Sequence, residues 1–185
     1  MRIEIVSGSP RQGSSTHRIA LHLQKKLTQK TEHEVSILDV RSYPLPLLQK
    51  VYTTVEDAPE EFRELAQRVF SADAFIIVTP EYNGSYSPAM QNVFDHFPKQ
   101  HHKVFGLVTA SPGALGGIRA AMQLQQFVMA LFGIPSPYML VTPQVDKKFD
   151  VDGNLIDPGF QKAIDTFVNE YLWLAEKLVD EKVIA

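Results

Sequence analysis

The chain has 185 residues, 44% of them hydrophobic and 21% charged, with a formal net charge of −3. That is the make-up of one ordinary globular domain over residues 1–185, able to bury about 70% of its unfolded surface, without the basic balance of a dedicated nucleic-acid binder. It contains no cysteine, which excludes a disulfide framework, a thiolate metal site and a catalytic thiol.

In chain order, residues 3–7 are a short β-branched run and predict a buried first strand. Residues 14–30 repeat apolar side chains at helical spacing (Ile19, Leu23, Leu27), with Ser or Thr placed to cap the start. Residues 35–40 predict a second strand, and residues 43–52, with Pro44 and Pro46, an irregular connection. Residues 58–70 predict a helix: Pro59 suits a first turn, and Phe62, Leu65, Ala66 and Val69 share a face. Residues 74–79 predict a third strand, residues 87–97 a helix with Pro88 in its first turn, and residues 104–110 a fourth strand. A long helix over residues 116–132 is closed by Gly133. A short fifth strand over residues 138–141, a polar stretch over 146–157 with the turn signal Asp152-Gly-Asn154, and a final amphipathic helix over 160–179 complete the chain.

Strands alternating with helices imply a parallel sheet covered on both faces. Five such units predict an α/β doubly wound sheet of order 2-1-3-4-5, with its ligand at the carboxyl ends of the strands, where the winding reverses between strands one and three. No stretch of about 20 apolar residues is present, and Glu4 interrupts the first apolar run, so neither a membrane span nor a signal peptide is expected. The cytoplasm is the expected compartment.

Three Gly-bearing segments each follow a predicted strand. The first is Gly8-Ser-Pro-Arg-Gln-Gly-Ser-Ser-Thr16. Free N–H groups at the start of the next helix, with the macrodipole, favour an anion. Ser9, Ser14, Ser15 and Thr16 supply hydroxyl donors, and Arg11 a charge-assisted bond to phosphate. The spacing Gly8…Gly13 matches a nucleotide triphosphate loop, but Ser14 stands where the lysine is required, and neither strand three nor strand four ends in the metal-holding Asp. The dinucleotide fingerprint is also missing after strand one, which disfavours a tightly bound NAD(P). The second segment is Pro80-Glu-Tyr-Asn-Gly-Ser85. Asn83-Gly84 is a strong turn dipeptide, and Pro80, Glu81, Tyr82, Asn83 and Gly84 are candidates to border a flat ligand. Glu81 is also open to a contact with a helix. The third is Ser111-Pro-Gly-Ala-Leu-Gly-Gly117, in which Ser111 is a donor and Gly113 and Gly116 leave room for close approach. Arg119, just beyond, is open to a surface ion pair, a partner subunit or the phosphates of a nicotinamide cofactor.

At these residues the chain resembles the NADPH-dependent FMN reductases of the flavodoxin-like fold, a group of quinone, chromate and azo-dye reductases. Gly8, Ser9, Arg11 and Ser14 match its first signature. Ser15-Thr16 replaces the Phe-Asn often found next. Pro80 to Asn83 match the Pro-Glu-Tyr-Asn element, and Ser111 onward the Gly-rich one. The resemblance implies non-covalent FMN, with Ser9, Arg11, Ser14, Ser15 and Thr16 on its phosphate, and Tyr82, Asn83, Gly84, Ser111 and Gly113 beside the ring. It implies hydride transfer from NAD(P)H to FMN and on to a small acceptor, by turns at one face, with ping-pong kinetics. No hydrolase constellation is present, and the six histidines have no metal-ligand spacing and are expected mostly on the surface. The other readings are a flavodoxin-like electron carrier serving protein partners, and a binding module that has lost FMN.

Apolar residues on two helices exceed a single core-facing stripe: Met122, Leu124, Phe127, Val128, Met129, Leu131 and Phe132, and Met90, Val93, Phe94 and Phe97. The surplus predicts a homodimer through these helices, with Tyr86 and Arg119 near the seam. The resemblance adds the option of a dimer of dimers.

Overall fold

The computed structural model describes residues 1–182, with side chains through residue 179. Strands β1 (Arg2–Ser7), β2 (Glu34–Asp39), β3 (Ala74–Pro80) and β4 (Val104–Ser111) are joined by two short pieces, β5 (Ile134–Pro135) and β6 (Leu140–Pro143). All pairings are parallel, in the order β2-β1-β3-β4-β5, with β6 also beside β4. Helices α1 (Ser15–Lys30), α2 (Arg63–Ser71), α3 (Pro88–Asp95), α4 (Ile118–Ala130) and α5 (Gln161–Lys182) cover the two faces.

The expected topology is therefore present, with one correction. The fifth sheet position is not a single strand over residues 138–141. Ile134 and Pro135 pair with Val104 and Phe105, and Leu140 to Pro143 pair with Val108 to Ser111. Pro135 and Pro137 lie at the break, where a proline cannot donate to a ladder.

Alternation along the strands builds two cores. Val6, Ile77 and Leu107 meet α2, α3 and α4, with Phe75 stacked on Phe105 at 5.1 Å between ring centroids. Ile5, Ile76 and Val108 meet α1 and α5. The charged Glu4 faces the first core and is matched by Arg68 of α2 in two bonds, 3.0 and 2.6 Å, so its buried charge is compensated.

The helices begin where their caps are. Ser14 caps α1 by accepting the Thr16 N–H, and Ser87 caps α3 by accepting the Ala89 N–H, with Pro88 in the first turn. The helix expected over residues 58–70 begins instead as a 3-10 turn, Glu60–Phe62, before α2. A second correction concerns α3 and its flank: Met90, Val93, Phe94 and Phe97 are all buried within this one chain and offer no surplus face.

Candidate functional site

The winding reverses between β1 and β3, and a cleft of about 220 Å³ opens there at the carboxyl ends of the strands. Its floor is the loop between β1 and α1. The Gly8 N–H donates to the Val78 carbonyl at 2.8 Å, tying the loop to β3. Among the described residues, the main-chain N–H groups of Gln12, Gly13, Ser14 and Ser15 find no protein acceptor. The guanidinium of the exposed Arg11 likewise has no ion-pair partner among the described residues. Unpaired donors gathered at the positive end of α1, with no carboxylate in the loop itself, fit a phosphate dianion.

The second wall is a hairpin. Tyr82 and Ser85 exchange both main-chain bonds, at 2.8 and 3.1 Å. Asn83 and Gly84 both have positive φ, 52° and 83°, which is the two-residue turn their sequence favours. The Tyr82 hydroxyl crosses to the first loop and lies 3.3 Å from Ser9 Oγ. Glu81 lines the cleft, but its carboxylate turns to α4, accepting the Ala120 N–H at 3.4 Å and facing Arg119 at 3.5 Å. Arg119 thus makes the surface ion pair, and its stem packs near Gly84.

The third wall follows β4. Ser111 Oγ accepts the Gly113 N–H at 3.0 Å, which leaves its own proton free to donate. The Gly113 carbonyl accepts the Gln144 N–H, and the Thr109 hydroxyl donates to the Gly116 carbonyl.

The structure brings together Ser9, Arg11, Ser14, Ser15, Thr16, Pro80, Glu81, Tyr82 and Ser111 around the cleft. Asn83, Gly84, Gly113 and Gly116 are not among its walls. Asn83 and Gly84 form the hairpin tip. At Gly116 the structure shows a steric requirement of the fold itself. Its φ is +61°, and a Cβ there would stand 2.6 Å from the Pro143 nitrogen and 2.8 Å from Val141 Cγ1, so the glycine lets this loop lie on β6. Gln12, Gly13, Ala110, Pro112 and Asp146 also line the cleft. The first four lie in or beside the motifs. Asp146 comes from a distant polar stretch with no local signal, and its carboxylate is 3.8 Å from Arg18.

Behind the first loop, His17 Nδ1 lies 2.9 Å from Ser7 Oγ and 3.7 Å from Asp39, which Arg41 grips in turn. Burial pushes the His17 imidazole below its ordinary value, against the pull of Asp39. Burial raises Asp39, but its hydrogen bonds and ion pair with Arg41 outweigh that and hold it low. Serine and carboxylate meet the same ring nitrogen, so this is not the relay of a hydrolase. Of the six histidines, His101 and His102 are exposed, His17, His22 and His33 are half-buried, and His96 alone is buried.

Comparison with known proteins agrees with this chemistry. The model of the NADPH-dependent FMN reductase family matches residues 1–145. An FMN-dependent NADPH-azoreductase of Staphylococcus aureus (strain USA300) is 30% identical over 178 residues, covering 90% of each chain. Among solved structures, the flavoenzyme NAD(P)H:(acceptor) oxidoreductase FerB of Paracoccus denitrificans superposes with a TM-score of 0.78 at 24% identity, over 95% of this chain and 97% of that one. A point mutant of flavodoxin from Pseudomonas aeruginosa shares the fold at a TM-score of 0.59 and 19% identity, over 92% of this chain and 99% of that one. With the family model spanning most of the chain and a donor-lined cleft at the winding reversal, the chain belongs to the NADPH-dependent FMN reductase family, as an NAD(P)H-dependent oxidoreductase with FMN as its cofactor and NADPH as its co-substrate.

Proposed function

We propose that the protein, as one flavodoxin-like domain, reduces a small acceptor such as a quinone, a free flavin or an azo compound, with NADPH or NADH as donor. The carrying observation is the set of unpaired N–H and hydroxyl donors that three loops bring to one cleft. In this reading Ser9, Arg11, Ser14, Ser15 and Thr16 hold the FMN phosphate. Pro80, Glu81, Tyr82, Asn83, Gly84, Ser111, Gly113 and Gly116 shape the two loops beside the ring. Bound FMN supplies hydride acceptance at N5 and electron return to a second substrate. The chain's part is to bind, to orient and to offer donors where charge develops. Glu81 acts at one remove, by pinning the hairpin to the start of α4.

Donor and acceptor then use one open face by turns, and steady-state lines for the two substrates run parallel. Intersecting lines would mean that both bind at once and would overturn the shared face. Use of a reduced nicotinamide donor, NADPH or NADH, supports the cytoplasm, where both are supplied, as the compartment. Among the described residues no helix is long and apolar enough to cross a membrane.

A homodimer, or a dimer of dimers, is the proposed assembly. Leu115, Ile118, Met122, Met129 and Phe132 are all exposed on and beside α4. With Gln125 they recur at alternating steps of three and four, the spacing of a seam between paired helices. α3 does not take part in this stripe, because its apolar residues are already buried.

A further inference from the structure

Tyr82 belongs by sequence to the ring-side loop, yet its hydroxyl ends at the phosphate loop, 3.3 Å from Ser9 Oγ. Two features fix this contact. The bridge between Tyr82 and Ser85 holds the tyrosine backbone in a closed hairpin. Ser9 is only 2% exposed, and its Oγ also accepts the Arg11 N–H, at 3.4 Å. The hydroxyl that Tyr82 reaches is therefore itself held.

A serine and a tyrosine hydroxyl that face each other share one hydrogen bond. One donates, the other accepts, and one of the two protons is left over. A phosphate dianion offers acceptors only. When it enters, each hydroxyl can turn its proton to a phosphate oxygen, so two charge-assisted bonds replace one neutral bond. The neutral alcohol that ends riboflavin's side chain offers no such gain.

We propose that the Tyr82 hydroxyl reads the terminal phosphate of the flavin and sets the preference of the apoprotein for FMN over riboflavin. The hairpin that carries Tyr82 thereby ties occupation of the phosphate loop to the position of the loop beside the ring. The proposal deepens the FMN reading above and rests on it.

The test is calorimetric titration of the apoprotein, wild type and Tyr82→Phe, with FMN, riboflavin and inorganic phosphate. Losing one charge-assisted bond should weaken FMN and inorganic phosphate about tenfold and leave riboflavin within about twofold. The phenylalanine keeps the ring packing, so an equal loss for FMN and riboflavin would assign Tyr82 to packing alone and overturn the proposal. Unchanged FMN affinity would overturn it as well. Ser9→Ala removes the other hydroxyl and should give the same phosphate-specific loss. In the wild-type apoprotein, inorganic phosphate should also perturb tyrosine near-ultraviolet absorption, a change absent from Tyr82→Phe. Should that variant fail to fold, an unperturbed wild-type spectrum at saturating phosphate would count against the proposal on its own. Wild-type apoprotein that binds no FMN would instead defeat the FMN reading.

Discussion

Arg11 is exposed and without an ion-pair partner among the described residues, beside a loop whose N–H groups are also free. Its charge is available to an anion, but in water rather than in a dry pocket, which puts its effect at the low end for a charge-assisted bond. Arg11→Ala should weaken FMN binding by about 1.5 kcal/mol, roughly tenfold, without loss of fold. Titration of the apoprotein with unchanged affinity would remove Arg11 from the phosphate site. His17 and His22 give a pH dependence of stability with a definite sign. Burial holds both imidazoles below 6.5 in the folded protein, so the unfolded chain binds protons more readily. Their contribution is complete above about pH 6.5 and is lost as the pH falls through that value toward the folded ones. Urea unfolding should show lower stability at about pH 5 than at about pH 7, and His17→Asn should shrink the difference. A flat profile would contradict the buried placement. The residue scale is also where the sequence is least informative. Side-chain direction depends on what packs from elsewhere, so the turn of Glu81 toward α4, the reach of Tyr82 to Ser9 and the burial of His96 have no local signature.

At the scale of elements, the three loops were legible because each combines a strand end, a glycine and a cap: Ser14 for α1, Ser87 for α3, and a left-handed Gly117 before α4. Hydrophobic runs gave β1 to β4 with boundaries shifted by one residue at most ends. The broken fifth position escapes because alternation needs about four to eight residues to mark a strand, and β5 has 2 residues and β6 only 4. Residues 43–52 were legible as irregular from Pro44 and Pro46. Asn92 ties this connection to α3 through the carbonyls of Leu45 and Pro46. Two substitutions test how the loops are held. Gly116→Ala forces a Cβ against the Pro143 nitrogen at positive φ, and should lower stability by about 1–3 kcal/mol, read from urea unfolding. Glu81→Gln retains an acceptor for the Ala120 N–H but loses the charge at the helix start, and should cost less than about 1 kcal/mol. If Glu81→Gln destabilised more than Gly116→Ala, the account of both loops would be wrong.

For the whole molecule, the doubly wound topology places every motif at one edge of the sheet, which is why linear order in the sequence was enough to locate the cleft. The placement of the surplus apolar residues is only half legible in the sequence. Counting apolar residues cannot separate a deep core from an outer face: the four counted on and beside α3 are all buried, and of those counted on and beside α4, Leu124, Phe127, Val128 and Leu131 are buried while Met122, Met129 and Phe132 are exposed. Met122→Lys together with Met129→Lys should shift sedimentation toward monomer, and a wild type already monomeric at micromolar concentration would end the dimer proposal. The central claim is that this cleft carries FMN between a nicotinamide donor and a small acceptor. The direct measurement is anaerobic titration of the FMN-loaded protein with NADPH, followed by a quinone. Stoichiometric NADPH should bleach the bound flavin, and the quinone, added after the donor is exhausted, should restore its colour. A flavin that dithionite reduces but NADPH leaves oxidised would contradict the account and make the protein an electron carrier for protein partners.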